Sequence, residues 1–185
     1  MTRILGLSGS LRRGSFNTGL LLAARDLAPE GVQVELYEGL RDIPPYDEDV
    51  RAAGFPPVVE DLRRRILEAD ALLFATPEYN RSVPGVLKNA IDWVSRPPHQ
   101  PFDGKVAAIV GASPGALGTA LAHYHLRQVL SVVGVYVLPA AETLVGGAGA
   151  KFDAGGLLTD EATRNVLRDR MTRLVDLATR LAPRV

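Results

Sequence analysis

The chain has 185 residues, of which 46% are hydrophobic and 23% are charged, a composition typical of a globular protein that buries its own core. Its 21 basic and 21 acidic side chains cancel, which argues against binding to nucleic acid or an anionic membrane, and against an acidic carrier that docks by charge. The absence of cysteine excludes disulfides, thiolate nucleophiles and cysteine-ligated metal centres, so any redox chemistry requires a bound cofactor.

Two apolar stretches bear on the location of the protein. The stretch at the N-terminus is too short for the hydrophobic region of a signal peptide. Residues 129–150 contain one charge, Glu142, but also Pro139 and several glycines, which fits a buried strand followed by a glycine-rich loop better than a membrane span. We therefore expect a soluble, cytoplasmic protein.

Short apolar runs alternate with helical patterns along the chain. Five runs are predicted as strands: residues 2–7, 33–37, 71–75, 105–110 and 135–138. Apolar residues at helical spacing predict five helices: residues 16–27, 58–69, 84–94, 116–132 and 160–181. Residues 41–57 contain four prolines and an acidic cluster, and are predicted as an ordered surface loop without a regular element.

The alternation of strands and helices indicates the fold class. It predicts right-handed βαβ crossovers, and therefore an α/β protein with a doubly wound, five-stranded parallel sheet of order 2-1-3-4-5 and helices on both faces. We find no internal repeat and no linker, so residues 1–185 are expected to form a single domain. In this layout, ligands bind outside the carboxyl ends of the first and third strands.

The loop of residues 8–17, which we call the phosphate loop, lies between the first strand and the first helix. Unpaired N–H groups and the helix dipole at such a position favour a phosphate. Three serines and Asn17 supply neutral hydrogen-bond donors, and Arg12 or Arg13 supplies a charged one. This composition suits a monophosphate held without metal. The alternative is that these residues only cap and solvate a turn.

Other nucleotide and catalytic patterns are absent. The GxGxxG fingerprint is missing, and although Gly9 and Gly14 have P-loop spacing, Ser15 stands where the phosphate lysine is required. A triphosphate enzyme is therefore not expected. His99, His123 and His125 have no ligand set at metal spacing, so they are interpreted as structural and no metal site is predicted. No GxSxG elbow follows a strand, which argues against a serine hydrolase.

Two further loops follow the third and fourth predicted strands. Residues 76–85 lie across the predicted switch point from the phosphate loop, and the prolines at both ends suit a stiff wall against a flat ligand. Tyr79 offers a ring, although it is equally explained as a half-buried loop aromatic, and Glu78 as a solvated charge. Residues 111–115 either let a ring approach their backbone or form an ordinary tight turn.

Taken together, two motifs resemble a known family. They are Gly9-Ser10-Leu11-Arg12-x-Gly14-Ser15-x-Asn17 and Pro77-Glu78-Tyr79-Asn80-x-Ser82-x-Pro84-Gly85-x-Leu87-Lys88-Asn89-Ala90-Ile91-Asp92-Trp93. In this order and at these positions they resemble the NAD(P)H-dependent FMN reductases of flavodoxin-like fold, nearest the chromate and quinone reductase subgroup. The resemblance covers nearly the whole chain.

The resemblance implies flavin mononucleotide (FMN) as the cofactor, and residues that bind it. The phosphate would be held by Ser10, Arg12, Ser15, Phe16 and Asn17. The isoalloxazine would be lined by Pro77, Glu78, Tyr79, Asn80 and Arg81, with Ser113 and Gly115 on its other edge. The flavin carries the chemistry in such enzymes, so no catalytic side chain is predicted.

The resemblance also implies an activity and an assembly. NADPH or NADH would reduce the flavin, which would then reduce a small oxidant such as a quinone, an azo compound, free flavin or chromate. Residues 124–128 and 139–142 resemble the quinone reductase subgroup in regions that it uses for assembly, which implies a homodimer or homotetramer. The alternatives are a non-enzymatic, flavodoxin-type electron carrier and a flavin-free module that keeps the fold as a scaffold.

Overall fold

The computed structural model describes residues 1–139 and 142–182. Within these residues the strands are β1 Thr2–Ser8, β2 Val32–Tyr37, β3 Ala71–Ala75, β4 Val106–Ala112, β5 Tyr136–Val137 and β6 Thr143–Val145. The α-helices are α1 Phe16–Asp26, α2 Glu48–Ala53, α3 Pro57–Glu68, α4 Gly85–Val94, α5 Ala120–Val132 and α6 Glu161–Leu181. Short 3₁₀ turns lie at Gly39–Asp42 and Ala148–Ala150. No helix in the described part of the chain is long and apolar enough to cross a membrane.

The strands form one parallel sheet in the order β2-β1-β3-β4-β5, with β6 also paired to β4. The predicted doubly wound α/β class and strand order are therefore confirmed. Every residue of the central strands β3 and β4 is buried, because helices cover both faces of the sheet. One face packs against α1 and α6 through residues such as Leu20 and Met171, and the other against α3, α4 and α5 through Leu62, Trp93 and Leu126.

The fifth strand position is divided between two short strands, which differs from the prediction of one strand over residues 135–138. β5 pairs with Val106 and Ala107 at the start of β4, and β6 pairs with the end of β4. We predicted a glycine-rich loop where β6 lies. A strand of three residues is too short to show the alternation of apolar and polar side chains that would have identified it. Ala140 and Ala141, which belong to the segment resembling the quinone reductase subgroup, lie outside the described residues.

The prediction that residues 41–57 contain no regular element is wrong, because α2 lies within them. Asp47 caps this helix: its Oδ1 accepts a hydrogen bond of 2.8 Å from the N–H of Asp49. Glu48 and Asp49 occupy the first turn, where negative charge interacts favourably with the helix dipole. The acidic cluster that we interpreted as a loop is therefore the start of a helix.

Candidate functional site

A cleft of about 440 Å³ lies at the carboxyl ends of β1, β3 and β4, within the volume range of small-molecule sites. It is lined by Ser10, Arg12, Ser15, Phe16, Asn17, Pro77, Glu78, Tyr79, Ala112, Ser113 and Pro114. Nine of the twelve predicted site residues thus meet in one place, and only Asn80, Arg81 and Gly115 fall outside the lining. Ala112 and Pro114 also line the cleft. They belong to the loop of residues 111–115, but neither has a polar side chain that would single it out as a site residue.

A smaller depression of about 210 Å³ lies on the side of the sheet where α3 covers β1 and β2. Arg3, Gln33, Glu35 and Arg65 are among its lining residues, and Arg65 forms an ion pair with Glu35 within it. None of the predicted site residues contributes to this depression. The larger cleft is therefore the candidate functional site.

Ser15 prepares the N-terminus of α1 to receive an anion. Its Oγ accepts hydrogen bonds from the N–H groups of Asn17 at 3.2 Å and Thr18 at 3.4 Å, which makes it the N-cap. Since both bonds use the oxygen as an acceptor, the hydroxyl hydrogen is left to donate. The first turn contains no acidic residue, and the N–H of Phe16 has no acceptor among the described residues. This arrangement suits a phosphate group.

Asn17 joins the phosphate loop to the end of β4. Its Nδ2 donates to the carbonyl of Ala112 and its Oδ1 accepts from the N–H of Ala112, each at 3.0 Å. The side chain is only 3% exposed, so this pair is shielded from water. The main contacts of the Asn17 amide are therefore with the protein, and they hold two cleft loops at a fixed spacing.

Arg12 supplies positive charge beside the N-terminus of α1. Its guanidinium carbon lies 5.0 Å from the centroid of the Phe16 ring, a cation–π geometry that holds the side chain over the ring. Phe16 in turn packs against Phe152, with ring centroids 4.9 Å apart. An arginine fixed in this way can form charge-assisted hydrogen bonds with a phosphate at the start of the helix.

The loop after β3 contains a tight turn that places Tyr79 at the cleft. Tyr79 and Ser82 exchange two backbone hydrogen bonds of 3.1 and 3.0 Å. The two residues between them, Asn80 and Arg81, have φ values of 50° and 66°, the left-handed conformations of a two-residue reverse turn. The turn carries Asn80 and Arg81 outside the cleft lining, while Tyr79 lines it and is 51% exposed.

Glu78 anchors the same loop to α5. Its Oε2 accepts hydrogen bonds from the N–H groups of Leu121 at 3.0 Å and Ala122 at 3.2 Å, so it caps a helix whose own N-cap residue makes no side-chain bond. A carboxylate at this position also interacts favourably with the helix dipole. Ser82 adds a second contact, with its Oγ 3.0 Å from Nδ1 of His125. Glu78 is therefore a structural anchor of the wall and not a solvated charge.

A tightly packed polar cluster lies behind the cleft. A Cβ atom at Gly111 would lie 1.8 Å from Oγ1 of Thr119 and 2.6 Å from the carbonyl of Thr76, so this position accepts only glycine without rearrangement. His123 is fully buried, and neither its ring nitrogens nor Thr119 Oγ1 has a hydrogen-bond partner of ordinary geometry among the described residues.

The charge state of His123 follows from this environment. Burial, assisted by the positive charge of Arg127 and Arg170 and opposed by the nearby carbonyl of Val110, lowers the pKa of His123 to about 3. The imidazole is therefore neutral near pH 7. We predicted from the sequence that this histidine is structural, and its burial agrees with that interpretation.

The donor set of the cleft fits a flat ring that carries a monophosphate. The Ser15 hydroxyl, the first turn of α1 and Arg12 provide donors at one end. Pro77, Tyr79 and the loop after β4 provide apolar and aromatic surface at the other. The described side chains include no cluster of histidine, aspartate or glutamate that could hold a metal ion. FMN has this combination of a planar ring and a single phosphate.

Comparison with known proteins identifies the family. Residues 2–150 match the family model described as NADPH-dependent FMN reductase, and the chain belongs to this family of FMN-dependent oxidoreductases. It is 54% identical over 172 residues to an NAD(P)H-dependent FMN reductase of Pseudomonas aeruginosa, which covers 93% of this chain and 92% of that relative. It is 42% identical over 172 residues to a quinone reductase of Escherichia coli K12, with 92% of each chain covered.

A solved structure agrees with this assignment. The fold matches that of a flavoenzyme NAD(P)H:acceptor oxidoreductase from Paracoccus denitrificans with a TM-score of 0.87 and 37% sequence identity, covering 97% of this chain and 98% of that one. The predicted family, the class of NAD(P)H-dependent oxidoreductase and the FMN cofactor are confirmed. The alternative of a non-enzymatic electron carrier is not favoured.

Proposed function

We propose that the protein binds FMN in the cleft described above and reduces quinones or similar small oxidants, such as azo compounds, free flavin or chromate, at the expense of NAD(P)H. The observation that carries this proposal is the meeting of a phosphate-type site at Ser15 and Arg12 with a ring-type wall at Pro77 and Tyr79 in one cleft. Quinones are favoured as oxidants because a relative from Solanum tuberosum, 43% identical over 185 residues, is an NAD(P)H:quinone oxidoreductase.

At the phosphate end, the protein's contribution is charge and hydrogen bonding. We assign the phosphate to Ser10, Arg12, Ser15, Phe16 and Asn17. Ser15 donates its hydroxyl hydrogen, because its lone pairs already serve the helix N-terminus. Asn17 acts mainly by holding the loop against Ala112. Arg12 offsets the negative charge of the phosphate.

At the ring end, the protein contributes a rigid surface. When bound, FMN supplies the two-electron chemistry that links a reduced nicotinamide to the oxidant. We assign its ring to Pro77, Glu78, Tyr79 and, at the other edge, Ser113, all of which line the cleft. Asn80, Arg81 and Gly115 belong to the same two loops but lie outside the cleft lining, so any contact that they make with the ring is at its margin. Glu78 holds this wall against α5 through two hydrogen bonds, which limits its movement while reactants exchange. We assign no acid or base to a side chain.

We further propose that residues 1–185 form a single domain that works in the cytoplasm as a homodimer or homotetramer. Assembly is supported by exposed apolar side chains on α5 and β5: Tyr124, Val132 and Tyr136 are 53%, 88% and 57% exposed. Aromatic side chains such as Tyr124 and Tyr136 are enriched at contacts between subunits. Sedimentation of the FMN-loaded protein measures the number of subunits directly.

The decisive experiment is the visible absorption spectrum of the purified protein with added FMN, followed by anaerobic NADPH or NADH and then by a quinone. We expect protein-bound flavin bands that bleach with the coenzyme and return with the quinone. A protein that binds no FMN would contradict the assigned site. Bands that neither coenzyme bleaches would contradict the oxidoreductase activity and favour an electron carrier.

A further inference from the structure

A second cleft of about 390 Å³ lies beside the FMN cleft, at the carboxyl ends of β1 and β2 and between the phosphate loop and the 3₁₀ turn Gly39–Asp42. Its volume is within the range of small-molecule sites. The lining residues common to both clefts are Ser10 and Arg12, which are assigned above to the phosphate of FMN. A molecule that occupies both clefts must therefore pass from one to the other at that phosphate.

Flavin adenine dinucleotide (FAD) has this shape, because it is FMN with an adenylate group joined to the phosphate. We propose that the protein binds FAD as well as FMN, with the flavin half in the FMN cleft and the adenylate in the second cleft. The inference rests on the proposed function, since it requires the flavin ring and its phosphate to lie as assigned above.

The position of the second cleft in the fold is that of an adenosine site. In dinucleotide-binding α/β folds, the turn after the first strand holds the diphosphate at a helix N-terminus, and an acidic residue beyond the second strand bonds to the adenosine ribose. Here the phosphate loop follows β1, and Glu38 directly follows β2 and lines the second cleft. The chain lacks the GxGxxG fingerprint of those folds, so hydroxyl and guanidinium groups of the phosphate loop replace the close backbone approach that the glycines allow.

The charge of the second cleft suits the additional phosphate. Arg12, Arg13 and Arg41 line it together with one carboxylate, Glu38, which gives a net charge of +2. None of the three arginines forms an ion pair with a described residue. The phosphate of FMN carries about −2 near pH 7, and in FAD a similar charge is divided between two linked phosphates. Arg12 at the junction serves the first phosphate, and Arg13 and Arg41 serve the second.

Arg41 is held in position for this role. Its Nη2 donates a hydrogen bond of 2.9 Å to the carbonyl of Leu11, which fixes the guanidinium against the backbone of the phosphate loop. A guanidinium has five N–H donors, so this contact leaves others for a ligand. Because the side chain is already ordered, binding a phosphate costs less conformational entropy than it would at a freely moving arginine.

The apolar part of the lining suits an adenine ring. Leu11, Leu36 and Leu40 all line the second cleft. Leu40 is buried and Leu11 is exposed, so apolar surface extends from the floor of the cleft to its rim. A flat base covers such surface, whereas FMN, whose structure ends at its phosphate, leaves it in contact with water.

The experiment compares two flavins that differ by the adenylate group. FAD and FMN are titrated separately by calorimetry into the flavin-free full chain and into its Arg13→Ala and Arg41→Ala variants. We expect the parent to bind both flavins. In each variant we expect the ratio of the FAD to the FMN dissociation constant to rise about tenfold, the loss of one charge-assisted contact. Arg25→Ala is the matched control, because Arg25 is an exposed arginine on α1 that lines neither cleft.

A higher ratio in either variant supports the inference. An unchanged ratio in both would overturn it, because the adenylate would then lie in solvent, and so would a parent that binds FMN but not FAD. Arg41→Ala also removes the bond to Leu11, but a disturbed phosphate loop would weaken both flavins and leave their ratio unchanged, and Arg13→Ala repeats the test without that contact.

Failure of the proposed function gives a different outcome, namely a protein that binds no FMN or whose flavin neither coenzyme bleaches. Normal binding and bleaching of FMN, together with an unchanged ratio in both variants, rejects the adenylate site alone.

Discussion

The side-chain amide of Asn17 and the peptide group of Ala112 form a closed pair of hydrogen bonds, each 3.0 Å long, between the first turn of α1 and the end of β4. Asn17 is 3% exposed and Ala112 is 2% exposed, so water cannot replace either bond without opening the cleft. The pair therefore sets the distance between the phosphate loop and the loop that carries Ser113.

We expect Asn17→Ala to lower both stability and FMN affinity. The substitution leaves the buried N–H and C=O of Ala112 without partners, which costs about 3 kcal/mol in the free energy of unfolding. Urea denaturation of the FMN-free protein measures this loss, and fluorescence titration measures FMN binding. Asn165→Ala, at an exposed position of α6, serves as the control. Stability equal to that of the parent would show that the pair does not hold the loops together.

Substitutions at Ser15 separate its two roles. Ser15→Ala removes both the N-cap and the free hydroxyl, so we expect a loss of about 1 kcal/mol in stability and about fivefold weaker FMN binding. Ser15→Asp retains a good N-cap but places a negative charge where the phosphate binds. We expect near-normal stability and a much larger loss of FMN affinity. If Ser15→Asp bound FMN as tightly as the parent, the phosphate could not bind at the N-terminus of α1.

Burial of neutral His123 makes stability depend on pH. Its pKa is about 3 in the folded protein, against an ordinary value of 6.5 in the unfolded chain. Between these two pKa values the unfolded chain binds a proton that the folded protein does not. The contribution of neutral His123 to stability is therefore complete above pH 6.5 and is lost as the pH falls. In the middle of this range the free energy of unfolding changes by about 1.4 kcal/mol for each pH unit.

The measurement is the free energy of unfolding at pH 7 and pH 5, by urea denaturation. We expect the parent to lose about 2 kcal/mol more than a His123→Gln variant between these two values. His99→Asn, a change at an exposed histidine with a left-handed φ of 54°, should retain the pH dependence of the parent. The same pH dependence in His123→Gln as in the parent would mean that His123 is not held neutral by burial.

The sheet and the composition of the cleft were predictable from the sequence because both depend on local patterns. Apolar runs locate the strands, and loops that follow parallel strands meet at one edge of the sheet, which brought Ser15 and Tyr79 together.

The anchoring contacts were not predictable. Glu78 lies 43 residues from Leu121, and nothing in either segment indicates that a carboxylate of one caps a helix that begins near the other. The turn at Asn80 and Arg81 was also hidden, since neither residue is the glycine that usually marks a left-handed conformation.

Two glycines beside the cleft provide a final, contrasting test. At Gly111 an added Cβ would lie 1.8 Å from Oγ1 of Thr119 and 2.6 Å from the backbone carbonyl of Thr76, which cannot move without displacing β3. We expect Gly111→Ala to lower the free energy of unfolding by about 3 kcal/mol and to weaken FMN binding, because the loops on both strands must shift.

At Gly85, the first residue of α4, an added Cβ meets no atom within 4 Å. Gly85→Ala should therefore be neutral or raise stability by up to about 1 kcal/mol, since alanine restricts the unfolded chain. Thermal and urea denaturation of both variants compare the two positions. If Gly111→Ala were as stable as Gly85→Ala, the close packing of Thr76, Gly111 and Thr119 would not support the cleft, and the ring wall would have to be held by the Glu78 cap alone.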